Sequence, residues 1–123
     1  MRRFSLACAV ALLACGGSDS SGPVDATGVW TLETINGQTL PVNVNGSETV
    51  LNGQLNLEAN TQFTDTYHYS VGNTGTRTSN TIGIWSQSGS TVTFNSNTAY
   101  NGTLVAGRLG VTKSGGAIWG YAR

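Results

Sequence analysis

The chain has 123 residues, no net formal charge and only 10% charged side chains. That balance excludes a basic stripe for nucleic acid and an acidic surface of note. Gly, Asn, Ser and Thr replace the Ala, Leu, Glu and Lys that helices favour, so the composition points to strands and tight turns.

Met1-Arg2-Arg3 is a positive opening, and Phe4 to Leu13 is apolar apart from Ser5 and Cys8. This is the layout of a secretory signal, and it is too short to span a bilayer, which needs roughly 20 apolar residues. Leu12-Leu13-Ala14-Cys15 then resembles the lipobox of bacterial lipoproteins: an aliphatic residue, a tolerant position, a small residue and the cysteine. The resemblance implies that residues 1–14 are removed and that the Cys15 thiol is the site of lipid attachment. Two acyl chains would make the anchor stable. Gly16 is not the aspartate linked to inner-membrane retention, so the resemblance implies an exported protein of the cell envelope held at the outer membrane. The other reading of Cys15 is a buried thiol or a disulfide with Cys8, but two cysteines in an apolar leader are not a disulfide framework.

Residues 15–26 read as the lipidated cysteine and a flexible Gly/Ser tether. Residues 27–123 are the folding domain, and they contain no cysteine. Past residue 14, four cations (Arg77, Arg108, Lys113, Arg123) stand against six carboxylates, a formal charge of −2.

Strand signals then arrive at even spacing. Residues 28–35 place Trp30 and Leu32 on one face, and Asn36-Gly37 is a type I′ hairpin signal. Residues 39–44 place Leu40, Val42 and Val44 together, with Pro41 marking an edge or an interruption. Residues 48–58 follow, with a bend or bulge expected at Asn52-Gly53. Residues 62–71 put Phe63, Asp65, Tyr67, Tyr69 and Val71 on one face and Thr64, Thr66, His68 and Ser70 on the other. Residues 72–80 read as a polar loop. Strands are expected at 81–87, 91–95, 99–105, 108–113 and 117–122. Eight to nine short strands joined by tight turns predict an all-β fold, a small antiparallel up-and-down β-barrel of about eight strands. A β-sandwich is the alternative.

Gly28-Val29-Trp30, Gly83-Ile84-Trp85 and Ala117-Ile118-Trp119 share a small-aliphatic-Trp pattern, which suits a tightly curved strand with a large ring on the same face. At Gly28-Val29-Trp30 the chain resembles the calycin families, lipocalins and avidins among them. More specifically, Gly28 to Pro41, with Gly83-Ile84-Trp85 and Val92-Thr93-Phe94, resembles small lipocalin-like domains of bacterial lipoproteins. The resemblance implies that Trp30 plugs the closed end of the barrel with Arg123 across its indole. It also implies that the barrel binds a small apolar ligand.

The sequence has few candidates for chemistry. His68, the lone histidine, reads as a solvated strand residue, and no metal-ligand set assembles around it. Asp65 sits on the aromatic face, near the mouth or paired with an arginine. No Gly-x-Ser-x-Gly elbow or phosphate loop occurs, so no catalytic residue, metal or cofactor is assigned and an enzyme is not expected. Most large rings read as core, and Tyr67, Tyr69 and Trp85 are the candidates for lining a ligand cavity. The expected function is a membrane-anchored lipoprotein that binds a small apolar ligand or an envelope partner. The alternative is a structural or envelope-assembly module with a filled barrel.

Overall fold

A computed structural model describes residues 25–123. The signal, Cys15 and residues 16–24 lie outside the described residues. The strands are β1 (Gly28–Ile35), β2 (Gln38–Thr39), β3 (Val42–Asn43), β4 (Glu48–Leu57), β5 (Gln62–Val71), β6 (Thr76–Ser88), β7 (Thr91–Asn95), β8 (Ala99–Val105), β9 (Arg108–Thr112) and β10 (Ile118–Ala122). Each of β4 to β10 pairs antiparallel with the next, β10 pairs with β1, and β1 closes on β4. The wall is a closed eight-strand up-and-down barrel. The short β2 and β3 flank the place where β1 and β4 part, β2 on the end of β1 and β3 on the start of β4.

Local chemistry sets the turns. Asn36 and Gly37 have φ of 52° and 79°, both positive as a type I′ turn requires, and Ala106-Gly107 does the same between β8 and β9. Two bulges curve the wall. One falls between Leu32 and Thr34 and the other between Val50 and Asn52. The first moves Ile35 onto the inner face with Trp30 and Leu32. The second leaves Gly53 facing inward, where a Cβ would meet Tyr67 Cβ at 3.0 Å and Leu32 Cδ2 at 3.1 Å.

Three segments differ from the sequence reading. Residues 39–44 are not one strand: Pro41 has no N–H for the ladder, and the stretch splits into β2 and β3. Val42 is buried but Val44 is exposed. Residues 72–80 are not a loop. The turn is confined to 72–75, and β6 begins at Thr76, so Arg77 stands in a strand opposite Tyr69. Main-chain pairing does not depend on the polarity of the side chains, which is why Thr, Ser and Asn could form this wall. Finally, Asp25 and Ala26 belong to the fold and not to the tether. Ala26 is fully buried, and its N–H donates to Gln87 Oε1 at 2.9 Å.

The core lies between the strands, with Trp30, Ile35, Val50, Leu55, Leu57, Phe63, Val92, Phe94, Leu109, Val111 and Tyr121 all essentially sealed from solvent. Phe63 and Phe94 meet edge to face at 5.2 Å. Gly83 makes room first for the Asn95 main-chain oxygen, which a Cβ there would overlap, and then for the Phe63 ring, whose Cε1 would lie within 2.7 Å.

Candidate functional site

The two ends of the barrel differ in chemistry. One end gathers the start of β1, the end of β4, the start of β5 and the end of β10. There Trp30 Nε1 donates to Ala26 O at 2.8 Å. Arg123 lies over the indole, its Cζ 4.3 Å from the ring centroid. Its Nη1 and Nη2 donate to Thr27 O (2.6 Å) and Asp25 O (2.7 Å). Trp85 is at this end too, its Nε1 donating to Glu58 O at 2.9 Å. This pole is closed by packing and by the incoming chain.

The other end is the mouth, and period-2 geometry places its residues. Along β5, Phe63, Asp65, Tyr67 and Tyr69 point inward in succession toward the mouth. Along β9, Leu109 and Val111 are inward, so Lys113, one residue past the strand, also enters the barrel. Lys113 Nζ forms an ion pair with Asp65 Oδ2, their side chains 16% and 5% exposed. The same ammonium lies 4.0 Å from the Trp119 ring centroid and 5.3 Å from that of Tyr67. Tyr67 packs edge to face on Trp119 at 4.8 Å and against Tyr69 at 5.6 Å. Tyr121 OH reaches toward Asp65 Oδ1 at 3.5 Å, the long limit of a hydrogen bond.

Burial here shifts the titrating groups. It pushes the Lys113 amine down, against the pull of the Asp65 carboxylate. It pushes the Tyr100 and Tyr121 phenols up, and the Asp65 charge adds to both shifts. At neutral pH the phenols therefore keep their protons and can donate hydrogen bonds. Lys113 has three N–H donors, more than its bond to Asp65 Oδ2 uses. Above the pair lies a pocket of about 250 Å³ lined by Asp65, Tyr67, Ser79, Thr81, Tyr100, Lys113 and residues 96–98. Its lining can accept and donate hydrogen bonds on all sides, with two phenol rings as flat apolar surfaces.

The residues singled out from sequence fall in three places. Trp30 and Arg123 are in contact at the closed pole. Tyr67 and Tyr69 are together at the mouth. Trp85 is not with them: Tyr67 stands opposite Ser79 on β6, and Trp85 lies six residues further along, about 20 Å toward the closed pole. Asp65 is buried at 4% exposure near the mouth, one of the two placements expected for it, and its ion-pair partner is a lysine and not an arginine. His68 is on the outer wall, its Nδ1 2.9 Å from Thr78 Oγ1, beside a groove of about 420 Å³ that also includes Thr31, Gln54 and Thr66. Lys113, Tyr100 and Tyr121 were not named as site residues from sequence. The signal for Lys113 was present in the alternation Leu109, Val111, Lys113. Among the described residues, no three His, Cys, Asp or Glu side chains come together as metal ligands would.

Comparison with protein-family models, curated proteins and solved structures finds no match to this chain.

Proposed function

We propose that this chain is an exported lipoprotein of the cell envelope, lipidated at Cys15, whose barrel mouth binds a small molecule or an envelope partner. The observation that carries this reading is the placement of the two poles. The chain enters the barrel at the closed pole through Asp25 and Ala26, while the Asp65–Lys113 pair lies beneath the opposite one. A lipid on Cys15 would be joined to that closed pole by residues 16–24, which reach at most roughly 30 Å. The mouth is then the pole furthest from the anchor.

The lipocalin resemblance implies an apolar ligand. The lining favours a ligand of mixed character: a ring or short chain against Tyr67 and Tyr100, with carbonyl, hydroxyl or carboxylate oxygens accepting from Lys113. The filled closed half supports a second reading, a structural or assembly module that acts through its rim. We assign binding and not catalysis to the mouth.

Three experiments test this function. Envelope fractionation of the Cys15→Ala protein should find a folded domain released from the membrane, and one that stayed membrane-bound would end the anchoring claim. Thermal-shift and tryptophan-fluorescence screening against lipids and cell-wall fragments tests the ligand, because Trp119 touches the Lys113 ammonium. If no compound moves either signal, while pull-down from solubilised envelope recovers a partner, the assembly module replaces the ligand reading.

A further inference from the structure

β6 is 13 residues long and β7 only 5. β5 pairs with β6 from Thr76 to Ile84, but β7 pairs with it only from Ile84 to Ser88. Arg77–Gly83 therefore has a strand on one side and, among the described residues, none on the other. The direction of its main-chain groups follows from one bond. Trp85 N donates to Thr61 O at 2.8 Å, toward the β5 side. Alternation then turns Gly83, Thr81, Ser79 and Arg77 toward β5 and leaves the N–H and C=O of Thr78, Asn80 and Ile82 facing the open side.

Open edges are commonly blunted by a lysine, a proline or a bulge. This stretch has no lysine or proline, its register with β5 runs without a shift, and its one charge is Arg77 at the end. Beside it on the outer wall, Ile82 and Ile84 are 56% and 62% exposed.

We propose that this edge pairs with the same edge of a second copy of the chain, joining two barrels through a continuous sheet. The free window is centred on Asn80. A two-fold axis there sets Asn80 against Asn80 of the second copy, Thr78 against Ile82, Ser79 against Thr81 and Arg77 against Gly83. Thr78, Asn80 and Ile82 each exchange both main-chain groups with the facing strand, and no like charges meet. Thr76 stays outside the pairing, because Ile84 of the second copy is already held by its own Asn95. Each copy uses its edge once, so the assembly closes as a dimer and does not propagate. The inference does not depend on the mouth having a ligand.

Sedimentation equilibrium of the full chain in density-matched detergent should show a mass that doubles with rising concentration. Asn80→Pro removes the central donor on the open side and leaves the β5 ladder in place. It should weaken dimerisation about tenfold or more while the circular dichroism spectrum is kept. Asn80→Lys, which opposes two cations at the axis, should do the same if the proline variant folds poorly. Amide exchange at Thr78, Asn80 and Ile82 should slow as concentration rises. A chain that stays monomeric at every concentration overturns the proposal, including one whose edge is instead taken by a segment of a different protein. So does a dimer that both variants leave intact, or protection of those amides that ignores concentration.

Discussion

The closed pole and the mouth are built from the same eight strands and solve opposite problems. At the closed pole, Trp30 and Trp85 bury large rings and hand their single N–H groups to main-chain oxygens of Ala26 and Glu58. Arg123 covers the Trp30 indole and ties down the incoming chain. The two indole N–H groups and the guanidinium there have local partners, and the apolar area does the holding. At the mouth a carboxylate and an ammonium are withdrawn from water, with phenols around them. Burying such a pair costs desolvation that its mutual attraction only partly returns. An apolar pair of similar volume would hold the barrel as well. The difference teaches that the pole where the chain enters is held by packing and locally partnered polar groups, whereas the mouth keeps a charged pair that stability does not require.

The largest expected effect is at the closed pole. Trp30→Ala should lower the unfolding free energy by roughly 3–5 kcal/mol, read by urea titration, because it leaves a cavity in a sealed core. A loss no greater than that of a surface change would mean the plug is not what holds this end. Next comes the mouth. Lys113→Met should cost about 3 kcal/mol, since it strands the Asp65 charge, whereas the double variant Asp65→Leu/Lys113→Met should return to within about 1 kcal/mol of the parent. If the single variant is as mild as loss of the exposed Arg108–Glu33 pair, the mouth is wet and the contrast between the poles disappears.

The smallest effect is on alkaline stability. Tyr100 and Tyr121 have folded values raised above the usual 10.0, so their contribution is intact below that pH and is lost as pH rises through the folded values. Lys113 acts in the other direction. Its folded value lies below the usual 10.5, so the native state sheds its proton first, and stability gains with pH in that interval. Above pH 10 two phenols outweigh one amine, and the melting temperature should fall. Tyr121→Phe should make that fall shallower. An unchanged slope in this variant would take Tyr121 out of the mouth electrostatics.

Much of the barrel was legible in the chain. Strict alternation in Phe63-Thr64-Asp65-Thr66-Tyr67 assigns inside and outside without any knowledge of neighbours, and Asn36-Gly37 announces its turn. Other features were not. Thr76-Arg77-Thr78-Ser79-Asn80 looks like a loop, because its side chains are polar and nothing in them reports that the main chain is paired to β5. Leu40, Val42 and Val44 alternate like one strand, yet Pro41 interrupts the ladder and leaves Val44 in solvent. Trp85 shares a face with Ser79, Thr81 and Gly83, so the period was right. Its height in the barrel depends on where β6 starts, which the polar residues concealed.

By itself, then, the sequence determined the class of fold, the inner and outer faces, and the rings and the buried carboxylate that point inward, because period and turn chemistry act between near neighbours. Only the tertiary structure decided that Asp65 meets Lys113 across 48 residues of sequence, that Trp85 belongs to the pole away from Tyr67, and that β6 rises past β7 to leave an open edge. Those depend on how far each strand runs beside the next. Register is set jointly by many weak pairings around a closed wall, and no single segment carries that information.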